Sequence, residues 1–221
     1  GNVAHSVIDK LFSPRDDQKY VMPEEIQTRI ENEFEKVYTE VLEANGALLQ
    51  LSENKLAEKL LHEQLRNCLE ALLEILTDND LKVTGCERHV EANMNLGLPQ
   101  AFKEDGTAKE RDILGFIDMT LEDKDGHPVV FDFKWTTWSK GYQGLLENNR
   151  SIQLELYRWM LSRQEKNGVE RVAYFLMPDA RLYSKEEFKG RFCTQIAASN
   201  DNDIVKQLNN SILYRKEQLS S

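Results

Sequence analysis

Two aspartates and one lysine lie in otherwise apolar segments, and residues of these types can bind a divalent cation. Asp118 lies in the run ILGFIDMTLE, and Asp132 and Lys134 lie in the run PVVFDFK. Burying unpaired charge costs free energy, so carboxylates among Ile, Leu, Val and Phe need a partner. A salt-bridged hairpin meets that need, and so does a metal site. The residue types alone leave both interpretations open.

A β-hairpin from Ile113 to Thr137 is predicted to position these residues. The two runs have strand composition, and the turn signal DGHP separates them. Because side chains alternate across a strand, Asp118 should share one face with Phe116 and Thr120. By the same rule, Asp132 and Lys134 should share one face of the second strand, together with Val130. Each strand then carries its charged groups on a single side.

The composition is typical of a water-soluble globular protein. The chain has 221 residues, of which 40% are hydrophobic and 30% are charged, and this length is enough for one large α/β domain. No apolar run approaches the roughly 20 residues of a membrane span, and we find no signal peptide. We expect a single domain over residues 1–221, with no membrane association. The helical pattern still continues near Leu219, so we expect that this domain belongs to a larger protein.

Cysteine usage and net charge restrict the cofactors and partners. Cys68, Cys86 and Cys193 are odd in number and widely spaced, which favours neither a disulfide framework nor a zinc or iron-sulfur site. A reducing, cytoplasmic setting fits best. The formal net charge of −10 opposes non-specific attraction to nucleic acid by the domain as a whole. It does not exclude such a substrate, because bound metal sets the local field at a site.

Helical periodicity dominates the sequence before the hairpin. The predicted helices are a short one over Val3 to Phe12, a long one from Pro23 to Asn45-Gly46, and one with Leu61 to Leu76 on a single face. His5 lies beside the apolar face of the first helix. Taken alone, such a histidine is usually a core or boundary residue.

The segment between the last of these helices and the hairpin has a weaker pattern. Lys82 to Leu96 is predicted to be a strand or irregular structure, and Pro99 to Lys109 a polar loop. Glu87 and Glu91 could approach a metal from here. We interpret them as ordinary surface glutamates.

The region after the hairpin is predicted to alternate between loop, helix and strand. The expected elements are a mobile loop over Trp135 to Gln143, a helix through Ile152 to Met160 that ends at Asn167-Gly168, a buried strand over Val172 to Met177, and a closing helix over Ile204 to Leu219. Gln153 and Tyr157 lie one turn apart on the first of these helices. A pair of this kind is more often packing than function.

Four short motifs occur in a definite order. They are Gly1-Asn-Val-Ala-His5, Gly115-Phe-Ile-Asp118, Asp132-Phe-Lys134 and Gln153-Leu-Glu-Leu-Tyr157. Each is weak alone, but the series resembles the PD-(D/E)XK nuclease superfamily, and specifically its RecB/AddB-like branch. The resemblance implies an α/β fold with a restriction-endonuclease-like core. That core is a central mixed β-sheet flanked by helices, with a helical insertion over about residues 23–80, between the first helix and the catalytic hairpin.

The same resemblance implies a divalent-metal-dependent DNA nuclease that hydrolyses phosphodiester bonds. Its implied metal ligands for Mg²⁺ or Mn²⁺ are His5, Asp118, Asp132 and the backbone carbonyl of Phe133. The implied catalytic residues are Lys134, Asp118, Asp132, Gln153 and Tyr157. Lys134 would orient the attacking water and stabilise charge on the phosphate, and Gln153 and Tyr157 would support the site or touch the nucleic-acid backbone.

The resemblance also bears on the cofactors and partners. Some relatives carry a four-cysteine iron-sulfur cluster, which the three cysteines here do not match, so no cluster is predicted. The implied partners are DNA and a helicase subunit or domain, because the domain would be the C-terminal part of a helicase-nuclease-like or DNA-repair protein. Two alternatives stay open. The chain could be a catalytically silent nuclease-like module with a binding or structural role, or an unrelated α/β interaction domain.

Overall fold

Three helices precede the sheet in the computed structural model. It describes residues 2–93, 101–102, 108–109, 112–164, 168–169 and 171–199, together with 206, 210 and 218. The helices are α1 (Asn2–Phe12), α2 (Pro23–Asn45) and α3 (Lys55–Asp78), and a short 3-10 turn covers Ser52–Asn54. Their apolar stripes are buried as the periodicity predicted, and the expected bounds of α1 and α2 are confirmed to within one residue.

A mixed sheet of six strands forms the centre of the fold, in the order β1-β4-β5-β6-β7-β8. In chain order the strands are β1 (Lys82–Asn93), β2 (Ala101–Phe102), β3 (Ala108–Lys109), β4 (Asp112–Glu122), β5 (Pro128–Lys134), β6 (Arg171–Leu176), β7 (Arg181–Ser184) and β8 (Cys193–Gln195). The pairs β5–β6 and β7–β8 are parallel, and the other pairs of the sheet are antiparallel. Among the described residues, β2 and β3 pair with each other and with no other strand. The predicted central mixed sheet flanked by helices is therefore confirmed.

Both faces of the sheet are covered by apolar packing. Helices α1, α2 and α3 form one core with Phe131, Phe133 and Phe175. On the opposite face, α5 (Ile152–Gln164) packs against Val130 and Ile117. Because β5 is buried on both sides, it is almost wholly apolar, as expected for a central strand. The exceptions are Asp132, which is buried, and Lys134 at the end of the strand.

The predicted hairpin of β4 and β5 is confirmed, and one aspartate organises its turn. Asp123 Oδ1 accepts hydrogen bonds from the backbone N–H groups of Asp125 and His127 at 3.0 and 2.9 Å. Gly126 adopts a positive φ of 82°, which a side chain would oppose. The side chains of Asp123, Asp125 and His127 lie close together, and we attribute this grouping to the turn.

Several expectations around the hairpin are corrected by the structure. The predicted loop at Trp135 to Gln143 is wrong in its second half, since α4 (Ser139–Glu147) begins there. A Cβ at residue 141 would lie 2.3 Å from the Trp138 ring, so Gly141 lets that ring cross the start of the helix. A local contact thus accompanies a helix that the loop-like composition did not predict.

Other expectations are corrected or stay open. The polar segment Pro99 to Lys109 contains the paired strands β2 and β3, and β7 and β8 were not predicted. The closing helix over Ile204 to Leu219 falls largely outside the described residues. None of the described helices has both the length and the apolar composition that a membrane span requires.

Candidate metal centre

His5 meets two carboxylates where α1 crosses the sheet. Its Nδ1 atom lies 3.3 Å from Glu87 Oε1 and 3.7 Å from Asp118 Oδ1. The ring packs edge-on against Phe133, with centroids 5.9 Å apart, which fixes the imidazole beside the sheet. One potential ligand atom from each of the three residues lies within 4.8 Å of the others. The structure therefore brings together two predicted ligands, His5 and Asp118, and adds Glu87.

A backbone distortion aims Glu87 at this cluster. Glu87 has a φ of 48°, a left-handed conformation that is strained for a residue with a Cβ. It lies opposite Asp118, between the pairs Cys86↔Met119 and Arg88↔Ile117. The sequence placed Glu87 among the surface glutamates because β1 has no regular apolar face. No local signal distinguishes it from Glu91, so this residue was missed.

The regular alternation of side chains breaks at the same point, which corrects one expectation. Ile117 packs into the core with α5, whereas Met119 packs into the core with α1 to α3. Residues two apart in a regular strand would lie on the same face. Phe116, Asp118 and Thr120 therefore do not share one face. The break coincides with Glu87, which has the left-handed φ and lies opposite Asp118.

Strands β4 and β5 part at the site, and Asp118 lies at the opening. Their pairing extends only from Glu122↔Pro128 to Met119↔Phe131. Beyond that pair, the Phe133 N–H donates a 2.6 Å hydrogen bond to Asp118 Oδ2. Burial raises the pKa of Asp118, while this bond and His5 act to lower it. Phe133 is thus beside the cluster, and a ligand role for its carbonyl stays a prediction.

Asp132 is a buried carboxylate with an incomplete set of partners. Its side chain is 0% exposed, and Lys134 Nζ lies 2.6 Å from Oδ2. Neither oxygen has a well-aligned hydrogen-bond donor among the described residues. Burial raises the pKa of Asp132 to about 7, although the Lys134 charge opposes this rise. A buried carboxylate normally has donors or a cation around it, so the surroundings of Asp132 suit a bound cation.

A chain of hydrogen bonds holds Lys134 in place. Lys134 Nζ donates to Gln153 Oε1 at 3.0 Å, and Gln153 Nε2 donates to the Tyr157 hydroxyl at 2.9 Å. Tyr157 then donates to the backbone carbonyl of Phe116 at 2.6 Å. The chain runs from β5 through α5 to β4, so it links the two strands that part at the site. The sequence predicted that Gln153 and Tyr157 support the site or touch the nucleic-acid backbone. The structure connects them to Lys134, and their role in catalysis stays a prediction.

The donor set fits a hard divalent cation. Carboxylate oxygens suit Mg²⁺ and Mn²⁺, and an imidazole nitrogen is more usual around Mn²⁺. His5, Glu87 and Asp118 could hold such an ion, and Asp132 lies close enough for the Asp118 charge to raise its pKa. A bound ion of this kind neutralises phosphate charge and makes a bound water more acidic. Lys134 offers a fixed ammonium beside the same carboxylates.

Comparison with known proteins supports the same chemistry. No curated protein matches the chain. A sequence model of the PD-(D/E)XK nuclease superfamily matches residues 1–220, which span both the three leading helices and the sheet. Nucleases of this kind typically use divalent metals, in agreement with the acidic cluster, and the sheet and its helices have the restriction-endonuclease-like fold. The chain belongs to the PD-(D/E)XK nuclease superfamily.

Proposed function

We propose that this chain is a divalent-metal-dependent deoxyribonuclease domain that hydrolyses phosphodiester bonds. The observation that carries the proposal is the convergence of His5, Glu87 and Asp118 beside the buried pair of Asp132 and Lys134. A phosphodiester resists hydrolysis because its anionic oxygens repel the nucleophile and its alkoxide leaves poorly. A cation, an ammonium and a positioned water address both difficulties.

Each site residue has a role in this proposal. His5, Glu87, Asp118, Asp132 and the Phe133 carbonyl would hold Mg²⁺ or Mn²⁺. Lys134 would orient the attacking water and stabilise the charge that builds on the phosphate. Gln153 and Tyr157 are positioning residues, since they act through Lys134.

The setting of the domain is also part of the proposal. We assign residues 1–221 to one nuclease domain of the RecB/AddB-like branch, with α2 and α3 as its helical insertion. This domain would be the C-terminal part of a cytoplasmic helicase-nuclease-like or DNA-repair protein. Family analogy favours DNA over RNA. The net charge of −10 supports delivery of DNA by another part of the assembly, such as a helicase motor.

A cleavage assay tests the proposal. The unmodified chain is incubated with linear single-stranded DNA, linear double-stranded DNA and RNA in Mg²⁺ or Mn²⁺. The same assay follows for Lys134→Ala and Asp132→Ala, with Lys124→Ala as a control because Lys124 is an exposed turn residue. We expect the control to keep full activity. Lys134→Ala should lose about 100-fold or more, as when one transition-state donor is removed.

Two results would contradict the proposal. If the unmodified chain binds Mn²⁺ in calorimetry yet cuts none of the three substrates, the catalytically silent alternative replaces it. If RNA alone is cut, the DNA assignment is wrong while the nuclease chemistry stands.

A further inference from the structure

Phe116 and His89 form an exposed aromatic pair on neighbouring strands. They are direct partners in the register of β1 and β4, and their ring centroids are 5.2 Å apart at an interplanar angle of 57°. Phe116 is 58% exposed and Leu114 in the same strand is 61% exposed, whereas Ile117 and Met119 are fully buried. Isolated exposed apolar residues are ordinary in proteins. The location of this pair is what makes it informative.

The pair lies on the same face of the sheet as the metal cluster. Ile117 and Val90 pack into the core with α5, so the residues beside them in each strand point to the opposite face. Those residues include His89 beside Val90, and Phe116 and Asp118 on either side of Ile117. Glu87 lies opposite Asp118, between the pairs Cys86↔Met119 and Arg88↔Ile117. His5 reaches Glu87 and Asp118 from that face. The aromatic pair therefore lies two residues along each strand from Glu87 and Asp118, with the pair Arg88↔Ile117 between them.

The spacing between the pair and the cluster matches a nucleic-acid strand. Two residues along an antiparallel strand span about 6.8 Å, on the order of the length of one nucleotide. A phosphate at the cluster would place a neighbouring base near the Phe116 ring. Protein docked on these rings would instead obstruct access to the adjacent cluster. A ligand that binds the aromatic pair without blocking the metal cluster is therefore the nucleic-acid substrate itself.

We propose that Phe116, with His89 packed beside it, is a stacking platform for an unpaired nucleobase next to the phosphate that is cut; this inference rests on the nuclease function proposed above. Aromatic rings stack on any base and need no positive charge, which matters in a chain of net charge −10. Bases in a duplex are stacked on their neighbours and are not free to stack on protein. The platform thus selects single-stranded segments of the substrate.

The test measures cleavage kinetics on two single-stranded oligonucleotides of equal length. One carries normal bases, and the other carries abasic nucleotides around the cut site. The proteins are the unmodified chain, Phe116→Ala, Phe116→Trp, and Leu56→Ala. Leu56 is the matched control because it is an aliphatic residue, 71% exposed, on α3. Thermal unfolding confirms that each variant is folded.

We expect Phe116→Ala to raise KM on the normal strand by about 5- to 150-fold, the range for loss of one stacked base. The kcat should change little, Phe116→Trp should restore KM, and Leu56→Ala should match the unmodified chain. On the abasic strand, Phe116→Ala and the unmodified chain should be equal. This dependence on the base separates stacking from a merely structural role.

The outcomes separate the two proposals. If the unmodified chain cuts the normal strand and Phe116→Ala has the same KM, the platform is overturned and the nuclease function stands. An equal loss on the normal and abasic strands also overturns the platform. If the unmodified chain cuts no nucleic acid at all, the nuclease function fails and the platform fails with it.

Discussion

Replacing Asp132 by asparagine should stabilise the metal-free protein while it removes activity. Asp132 is fully buried, and its pKa of about 7 already includes the attraction of Lys134. The ionised carboxylate is therefore a net cost to folding above pH 7 in the absence of metal. An asparagine side chain at this position would have almost the same shape without the charge. Lys134 stays satisfied in the variant, because it is partly exposed and bonded to Gln153.

The size of the effect follows from the pKa of the carboxylate. The rise in the pKa of Asp132 from the ordinary value of 3.8 to about 7 corresponds to a loss of about 4 kcal/mol in the free energy of unfolding at pH 8. A buried amide with unmet hydrogen bonds costs about 1–3 kcal/mol, so the net gain for Asp132→Asn is about 1–3 kcal/mol. For a chain of this length, that is a rise in Tm of about 2–12 °C.

The pH dependence gives a sharper test, because the cost of the amide does not change with pH. The folded pKa is above the unfolded one, so between pH 3.8 and about 7 the folded protein binds more protons than the unfolded chain. The contribution of Asp132 to the free energy of unfolding is fully present below its pKa in the unfolded chain. It is lost as the pH rises through its pKa in the folded protein. Between pH 5 and pH 8, the unmodified chain should lose about 3 kcal/mol relative to Asp132→Asn.

Urea unfolding in EDTA at pH 5, 6, 7 and 8 measures this difference. Asp17→Asn is the control, since it makes the same change at an exposed position. Added Mn²⁺ at pH 8 should then stabilise the unmodified chain more than Asp132→Asn, because a ligand stabilises only the state that binds it. The reasoning is refuted if Asp132→Asn is less stable than the unmodified chain at pH 8 in EDTA, or if their difference does not change with pH.

Two further variants test the positioning chain and the additional ligand. Tyr157→Phe leaves the Phe116 carbonyl and Gln153 without the hydroxyl, so it should lower the free energy of unfolding in urea by about 1–3 kcal/mol. The control Tyr20→Phe changes an exposed ring and should cause no measurable loss of stability. Equal losses in the two variants would contradict the hydrogen-bond network. Glu87→Gln should weaken Mn²⁺ binding in calorimetry by at least about tenfold. The control Glu91→Gln, outside the cluster, should not weaken it. Unchanged Mn²⁺ affinity in Glu87→Gln would remove Glu87 from the ligand set.

Much of the site could be predicted from residue types and their order along the chain. Asp118, Asp132 and Lys134 stand out because charge is rare in strands of Ile, Val and Phe. His5 was recognised as a candidate metal ligand only because its motif precedes those of the two strands in the chain. The structure brings His5 and Asp118 together, and links Lys134 to Gln153. The helices were also predictable, because a stripe with a period near 3.6 residues is visible over many turns.

The remaining features leave no periodic pattern in the sequence. Glu87 enters the site through a left-handed backbone at one position of β1, and a glutamate gives no local signal of such a turn. The break in alternation at Asp118 lies directly opposite that residue. Helix α4 begins where Gly141 accommodates the Trp138 ring, a local contact that the composition does not reveal. Strands β7 and β8 have only four and three residues, too few for a periodic pattern.

The long separation between His5 and Glu87 has a consequence for how the site forms. These two residues are 82 positions apart in the chain and meet only when α1 docks on the finished sheet. Bringing them together requires closing a loop of that length, which costs entropy. A chain in which α1 has not docked therefore lacks the complete cluster of His5, Glu87 and Asp118. Under the function proposed above, cutting would depend on the docking of α1.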